Sequence, residues 1–238
     1  MPRYTVDLHN HTPLITSDWR GSRGTTPREI VETALDRGID VWGATDHFSV
    51  EYAPGVIAAA EEVRAETGRD LLVLPGAELK VRHDGEETHL VCLFPQRRAD
   101  LRFRALLSGL GMTLPPAPIE DLPYVSLERD PVQVARLVDG LGGLCHLGHV
   151  DRTFGGYCFI DSELVHQLVE SHYFSAVELI DHSCRERFRD GLAIAHISSS
   201  DAHSLDEIGR RTAALEMPEL SFEGLRAGLR AMREVAAA

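Results

Sequence analysis

Short apolar runs bounded by turn-forming or charged residues recur along the chain, with the length and flanks typical of buried β-strands. The predicted strands cover residues 4–9, 41–45, 71–79, 89–94, 143–148, 176–180 and 194–199. Segments with a helical period lie between them, at 26–37, 53–67, 131–141, 161–171 and 221–232. This alternation implies an α/β fold of parallel strands joined by crossover helices. About seven strands with polar residues at their ends favour a closed barrel over an open doubly wound sheet.

The first predicted helix has a clear start and a clear end. Thr26 is placed to cap the helix, Pro27 takes the first helical position, and Glu29 completes a capping box. Gly38 follows the last helical residue, where glycine commonly ends a helix.

The least regular stretch is 95–129, which contains a proline-rich run at 114–118. It predicts a helical and loop insertion over the mouth of the site. No internal repeat, low-complexity tract or linker divides the sequence, so residues 1–238 are expected to form a single domain.

The composition is that of a globular protein, since 43% of the 238 residues are hydrophobic. The four cysteines are widely spaced without a CxxC pair, which favours reduced thiols. The amino terminus lacks the pattern of a secretion signal, and no apolar stretch approaches the ~20 residues that span a bilayer. We therefore expect a cytoplasmic protein without a membrane partner.

The net charge of −13 argues against a partner that is a long nucleic acid, whose binding needs clustered Lys and Arg. An acidic chain still binds a small phosphate when metal ions supply the positive charge. The expected partner is therefore a small phosphorylated substrate.

Histidine is over-represented, with 12 residues in the chain, and many of these histidines stand beside carboxylates at the ends of predicted strands. The residues concerned are His9, His11, Asp46, His47, Glu78, His89, His149, Asp201 and His203. Side chains at the carboxyl ends of parallel strands converge on one mouth of a barrel. Because residues two apart in a strand point the same way, His9 with His11, and Asp201 with His203, can each bind one ion.

Imidazole and carboxylate ligands together suit zinc, manganese or iron. A carboxylate such as Glu78 can bridge two ions at about 3.5–4 Å, the separation used for phosphoryl chemistry. The sequence therefore predicts two to three divalent metal ions of this kind as cofactors.

A set of short motifs runs through nearly the whole chain. They are Asp-Leu-His-Asn-His-Thr at 7–12, Thr-Asp-His at 45–47, Gly-Ala-Glu at 76–78, His-Leu-Val at 89–91, Gly-Gly-Leu-Cys-His-Leu-Gly-His-Val at 142–150 and Ser-Asp-Ala-His at 200–203. In these motifs and their order the chain resembles the polymerase-and-histidinol-phosphatase (PHP) family of metal-dependent phosphoesterases. The resemblance implies a distorted (β/α)7 TIM-like barrel and a trinuclear metal site that hydrolyses phosphate esters.

The resemblance also implies a ligand set for three metals. The first metal would be held by His9, His11, Glu78 and Asp201, the second by Glu78, His89 and His149, and the third by Asp18, His47 and His203. Two positions depart from the family pattern. Asp18 lies in a loop longer than usual, and Gly148-His149-Val150 replaces Ala-His-Pro, which leaves His146 as a rival to His149.

By the same likeness Arg152 is a phosphate-binding residue, and its planar guanidinium suits a pair of phosphate oxygens. Lys80 shares a strand face with Glu78 and is expected to add a second positive charge. The expected mechanism is in-line attack by a metal-bridging hydroxide, with His47, His203 and Arg152 as the catalytic residues.

The function predicted from the sequence is hydrolysis of a phosphate ester by a small-molecule or nucleotide phosphatase. An oligonucleotide 3′–5′ exonuclease or phosphodiesterase is the alternative within the same chemistry, and a basic groove leading to the metals would favour it. A non-catalytic, metal-binding regulatory barrel is the alternative outside enzymes, but no main ligand is missing. A hydrolase of C–N bonds also remains open, since a fold does not fix a reaction.

Overall fold

The structure is a computed structural model that describes residues 1–14, 17–112, 125–154, 157–158, 163–181, 183–184 and 193–236. Its strands are β1 (Arg3–Asp7), β2 (Val41–Ala44), β3 (Leu72–His83), β4 (Glu86–Leu93), β5 (Leu127–Glu128), β6 (Leu144–Leu147), β7 (Thr153–Phe154), β8 (Tyr157–Cys158), β9 (Ala176–Glu178), β10 (Ala195–Ile197) and β11 (Ala213–Glu216). Its helices are α1 (Pro27–Asp36), α2 (Ala53–Thr67), α3 (Ala99–Gly109), α4 (Pro131–Gly140), α5 (Glu163–Glu170) and α6 (Phe222–Ala236).

The fold is an α/β barrel that is nearly closed, as the sequence predicts. The sheet follows the order β10-β9-β6-β4-β3-β2-β1-β11, with β5 attached to β3. Beyond the strands, the path closes where the segment after β1 meets the segment after β10: Asp201 N–H donates to His9 O at 2.9 Å, and His11 N–H donates to Ala202 O at 2.9 Å. The closure therefore brings together two of the predicted histidine and carboxylate motifs.

One predicted strand runs against the expected direction. Strand β4 is antiparallel to both β3 and β6, whereas the sequence analysis expects every strand to be parallel. The cause is the two-residue turn Asp84-Gly85, in which both residues have positive φ, 51° and 86°. An Asp-Gly pair of this kind forms a tight hairpin turn, so β3 folds directly back into β4 without a crossover helix.

The sequence analysis missed one barrel strand. Strand β11 pairs antiparallel with β1, from Ala213 opposite Val6 to Glu216 opposite Arg3. Its buried and exposed residues alternate, which is the pattern of a strand with one face on the core. With only four residues, this pattern is too short to be distinguished from a turn.

The helices cover the outside of the barrel, and α1, α2, α4 and α6 begin within one residue of their predicted starts. The predicted start at 161 lies outside the described residues. In α1 the Thr26 side chain accepts from Glu29 N–H and the Glu29 side chain accepts from Thr26 N–H, which confirms the capping box. Apolar faces of the helices pack on the strands in three buried clusters. None of the helices in the described ranges is both long and apolar enough to cross a bilayer.

The described helical part of the predicted insertion is α3. It buries Phe103, Leu106 and Leu107 in the largest apolar cluster and contacts α4. Residues 113–124 lie outside the described residues, so the predicted position of the insertion over the site stays a prediction.

The barrel wall beside the candidate site depends on a glycine. A Cβ atom on Gly43 of β2 would lie 2.3 Å from the backbone oxygen of Leu8, the residue before His9. We expect Gly43→Ala to lower the free energy of unfolding by about 1–3 kcal/mol, because the backbone must move to admit the methyl group. Urea denaturation measures this change, and Gly140→Ala is the matched control because no atom lies within 4 Å of its Cβ position. Equal stability of both variants would contradict the close approach.

Candidate metal centre

The predicted ligands meet at one end of the barrel, where the segments that follow the parallel strands lie. A cleft of about 420 Å³ opens there. It is lined by His11, Asp18, Arg20, His47, Glu78, Lys80, His89, His149, Arg152, Asp201 and His203. His9 lies beneath this lining and is fully buried. The structure therefore brings every predicted ligand and both predicted phosphate-binding residues to one site.

Glu78, in the middle of β3, is the centre of the cluster. It is 1% exposed, so its carboxylate is held within the barrel mouth. Its two carboxylate oxygens lie within 3.5 Å of ring nitrogens of His9, His11, His47, His89 and His149. The shortest of these distances is 2.5 Å, from Glu78 Oε1 to His89 Nδ1. A single carboxylate is thus shared by histidines from four separate segments.

Asp201 and Asp18 extend the cluster on either side. Asp201 Oδ1 lies 3.3 Å from His11 Nε2 and 3.7 Å from His9 Nε2. Asp18 Oδ1 lies 3.6 Å from both His11 Nδ1 and His47 Nε2. The loop that carries Asp18 is longer than the family pattern, yet it delivers the carboxylate to the cluster.

The spacing of these atoms suits metal binding better than hydrogen bonding. Although buried, His9 Nε2, His47 Nδ1 and both ring nitrogens of His11 have no hydrogen-bond partner. Two ligand atoms at about 2.1 Å from a tetrahedral ion lie about 3.4 Å apart. The distances of 3.3–3.7 Å from the His9 and His11 Nε2 atoms to Glu78 and Asp201 therefore fit shared ions. The donor set passes this test for divalent metals.

Three groups of side chains each place their ligand atoms within 4.8 Å of one another. The groups are His9 with His11 and Asp201, His9 with Glu78 and His149, and His11 with Asp18 and His47. They differ from the sets implied by the resemblance, because His9 stands in the second group where His89 was expected. His89 instead directs Nδ1 at Glu78, and His203 Nε2 lies 3.0 Å from Asp18.

The carboxylates of the cluster raise the pKa values of two of its histidines. Burial opposes protonation of His11, but the contacts with Asp201 and Glu78 prevail and raise the pKa of His11 to about 10. In the same way, despite burial, the carboxylates of Glu178 and Glu78 raise the pKa of His9 well above its ordinary value. Burial would raise the pKa of Glu78, but its histidine neighbours hold it well below its usual range. A metal ion bound by His9 and His11 would displace the protons that these carboxylates favour.

Strained backbone marks the segments that present the ligands. His149 and Asp201 have positive φ angles of 25° and 48°, and Phe48, which follows His47, has 52°. Such conformations cost about 1–3 kcal/mol for residues other than glycine and persist where the surroundings impose them. Around Asp201 the surroundings are two arginines: Arg210 and Arg211 donate to the backbone oxygens of residues 199–201.

Asp46, which precedes His47 in its motif, does not face the cluster. Its carboxylate accepts from Thr12 N–H at 2.8 Å and from the Thr12 hydroxyl at 2.6 Å. Asp46 therefore anchors the loop that follows His11, as a structural partner of the site.

The two rival histidines lie in different positions. His149 Nε2 is 3.5 Å from Glu78 Oε1, whereas His146 lies inside β6 with its Nε2 3.7 Å from Glu178 Oε2. Arg152 contacts Asp201 Oδ2 at 3.3 Å and lines the cleft together with Lys80. The structure thus groups His149, and not His146, with the shared carboxylate.

Sequence reasoning missed two residues at this site. Glu178 ends β9, and its Oε2 atom lies 3.2 Å from Nδ1 of His9. The available signal was a carboxylate inside the apolar predicted strand 176–180. Arg20 lines the cleft and pairs with Glu207 at 3.2 Å. It was not predicted, because the loop from Asp18 to Arg20 carries no recognisable motif.

A protein-family model described as PHP-associated matches residues 185–233. No curated protein matches the chain. The match lies in the carboxyl-terminal part of the chain and includes the Ser-Asp-Ala-His motif.

Solved structures match the whole fold at low identity. Endonuclease Q from Pyrococcus furiosus matches with a TM-score of 0.67 and 19% identity, over 97% of this chain and 56% of that one. A proposed metal-dependent phosphoesterase from Bifidobacterium adolescentis matches with a TM-score of 0.59 and 16% identity, over 94% and 95%. An amidohydrolase from Chromobacterium violaceum matches with a TM-score of 0.56 and 18% identity, over 95% and 96%. The chain spans little more than half the length of the endonuclease, and at these identities the matches show the fold.

These comparisons correct the expected partner. The prediction of a small phosphorylated substrate, with a long nucleic acid as an unlikely partner, was wrong. Endonuclease Q, which shares the fold, has been solved with a 27-mer duplex carrying an abasic lesion at its active site. The physical reason is that net charge is a sum over the chain, while binding of a phosphate depends on the local charge at the site. Bound dications would supply that charge in an acidic chain.

Proposed function

We propose that this chain is a PHP-domain protein and a metal-dependent hydrolase of phosphoester bonds. The observation that carries the proposal is the convergence of five histidines on Glu78, flanked by Asp18 and Asp201, in a cleft at the mouth of the barrel. The family match and the fold shared with a DNA endonuclease and a proposed phosphoesterase support the same reaction class.

The proposed metal ligands are those that the cluster groups together. They are His9, His11, Asp18, His47, Glu78, His89, His149, Asp201 and His203. The mixture of imidazole and carboxylate suits zinc, manganese or iron, and the three groups of ligand atoms suit two to three ions. Glu78 is the shared ligand, because its two oxygens face histidines of different groups.

When bound, such ions polarise a phosphoryl oxygen and lower the pKa of bound water to about 7. The chain's own residues do the rest. Arg152 is placed at the cleft to bind phosphate oxygens, and its contact with Asp201 holds the guanidinium beside the ligands. Lys80, two residues after Glu78 on β3, adds positive charge on the same strand face. His47 and His203 both face Asp18, and their proposed part in catalysis is to hold an ion there as ligands.

The proposal covers monoesters and diesters, including the phosphodiester bond of a nucleic acid. A second cleft of about 270 Å³ adjoins the first and shares His89, His149 and Arg152 with it. This space lies beside the phosphate-binding arginine and can hold the group attached to the phosphate.

The test is hydrolysis by the metal-loaded protein of three probes: an aryl phosphate monoester, a diaryl phosphate diester and duplex DNA with an abasic lesion. Turnover of any probe that is lost on chelation and regained with zinc, manganese or iron supports the proposal and ranks the substrate classes. Stoichiometric metal binding without hydrolysis of any phosphoester would contradict the proposed hydrolase function. It would favour a non-catalytic, metal-binding regulatory barrel.

Replacing Arg152 by Met is expected to lower kcat/KM for whichever probe is hydrolysed by about 10- to 100-fold. The reason is the loss of a charge-assisted hydrogen bond worth about 1.5–3 kcal/mol. Steady-state kinetics measure the effect. Metal content, determined in parallel, is expected to be unchanged, and a variant that loses metal would show that Arg152 acts on Asp201 instead of on the substrate.

A further inference from the structure

A buried carboxylate lies behind the metal centre. Glu178 is the last residue of β9 and is 1% exposed. Its Oε2 atom lies 3.2 Å from Nδ1 of His9, which is itself fully buried. Burying a carboxylate is unfavourable unless charged or hydrogen-bonding partners compensate. The partner that faces Glu178 most closely is the imidazole of His9. This contact compensates part of the free-energy cost of burying the carboxylate.

The two nitrogens of His9 face opposite surroundings. Nε2 faces the cluster, at 3.5 Å from Glu78 and 3.7 Å from Asp201, while Nδ1 faces Glu178. Because these nitrogens lie on different edges of the imidazole, the ring separates Glu178 from the atoms that would share an ion. Glu178 therefore contacts the proposed metal ligand His9 and lies too far behind the ring to bind the same metal itself.

His146 extends the same line into the barrel. It is fully buried, and its Nε2 lies 3.7 Å from the Glu178 oxygen that faces His9. Cα pairing places His146 of β6 beside Ala176 of β9, two residues before Glu178 and on the same strand face. The side chains of His146, Glu178 and His9 thus form a buried row that leads to the cluster.

We propose that Glu178 is a positioning residue that accepts a hydrogen bond from His9 Nδ1–H and thereby directs His9 Nε2 at the metals. His146 lies beside the same carboxylate oxygen, with its Nε2 atom at 3.7 Å. Carboxylates that hold metal-bound histidines in this way fix the tautomer and orientation of the ring. The inference rests on the proposed metal-dependent function, and its tests read metal binding without requiring turnover.

Glu178→Gln is expected to weaken binding of the ion held by His9 by about 10- to 100-fold, the usual effect of losing such a partner. Competition with a chromophoric chelator, with Zn²⁺ as the probe, measures the dissociation constants. At saturating Zn²⁺ the number of ions per chain is expected to equal that of the wild type, whereas His9→Ala lowers it. Glu170→Gln, on the exposed face of α5, is the matched control and is expected to change neither quantity.

Nitrogen-15 NMR of the Zn²⁺-loaded wild type tests the same proposal without any variant. The proposal requires His9 to carry its proton on Nδ1 and the metal on Nε2. A proton on Nε2, or metal on Nδ1, would overturn it. So would a Glu178→Gln protein with unchanged Zn²⁺ affinity, and one that loses an ion even at saturation would make Glu178 a ligand. Tight Zn²⁺ binding without hydrolysis would contradict the proposed function. The positioning role of Glu178 would then still be decided by the Zn²⁺ dissociation constant of the Glu178→Gln protein.

Discussion

Glu78→Gln is expected to lower phosphoester hydrolysis by on the order of 10³-fold or more. An amide has one oxygen and no charge, so it cannot bridge two ions or balance the five imidazoles that face the carboxylate. Charge stabilisation by metals is worth several kcal/mol, and each 1.36 kcal/mol corresponds to a tenfold change in rate. Initial rates on the best probe, together with metal content, measure the effect.

The matched control for this substitution is Glu216→Gln, an exposed glutamate on β11. It makes the same chemical change away from the cluster and is expected to keep full activity and full metal content. If Glu78→Gln retained more than about a tenth of the wild-type rate, Glu78 would not be the shared ligand and the proposed arrangement of the centre would fail.

Removing the metals is expected to abolish hydrolysis and to lower the melting temperature by roughly 5–10 °C. A ligand present at about 100 times its dissociation constant contributes about 2.7 kcal/mol, and each kcal/mol shifts the melting temperature of a chain of this size by about 2–4 °C. Without metals, the carboxylates are balanced by protons on histidines such as His9 and His11 and by the contact of Arg152 with Asp201. The metal-free protein is therefore expected to depend strongly on pH.

The direction of that dependence follows from His11. Its pKa is raised from 6.5 to about 10 in the metal-free fold, so protonated His11 stabilises the fold. This contribution is fully present below pH 6.5 and is lost as the pH rises toward 10. Metal binding displaces the same proton, so metal affinity rises over this range. We expect the gap in melting temperature between metal-loaded and metal-free protein to widen with rising pH.

Differential scanning fluorimetry at pH 6.5, 8 and 9.5, with and without chelator, measures this gap. His11→Gln serves as the control, since a neutral amide removes the titrating group and should flatten the pH dependence of the metal-free protein. A gap that narrows as the pH rises would contradict the assigned charge state of the cluster.

The cluster of proposed ligands was predictable because its signal is local. His9 and His11, or Asp201 and His203, are two residues apart at the end of a strand, and the barrel geometry brings such ends together. The motif order across the chain identified the remaining ligands. Asp18 was among the predicted ligands although its loop is longer than the family pattern. In the structure its Oδ2 atom lies 3.0 Å from Nε2 of His203.

Features that depend on distant pairing were harder to predict. The antiparallel direction of β4 follows from the Asp84-Gly85 turn, which is visible in the sequence. It was not predicted because the alternation of strands and helices favoured parallel strands throughout. Strand β11 is four residues long and is defined by its pairing with β1. The role proposed for Glu178 arises only because β9 and β1 bring it to His9, residues separated by 169 positions in the chain. No sequence motif in either segment predicts the contact between Glu178 and His9.

The measurement that tests the central claim most directly is metal content by elemental analysis, combined with hydrolysis of the three phosphoester probes by the same preparation. We predict two to three ions of zinc, manganese or iron per chain, and turnover of at least one probe that disappears in Glu78→Gln. Fewer than two ions at saturation, or full occupancy with no hydrolysis of any phosphoester, would contradict the account.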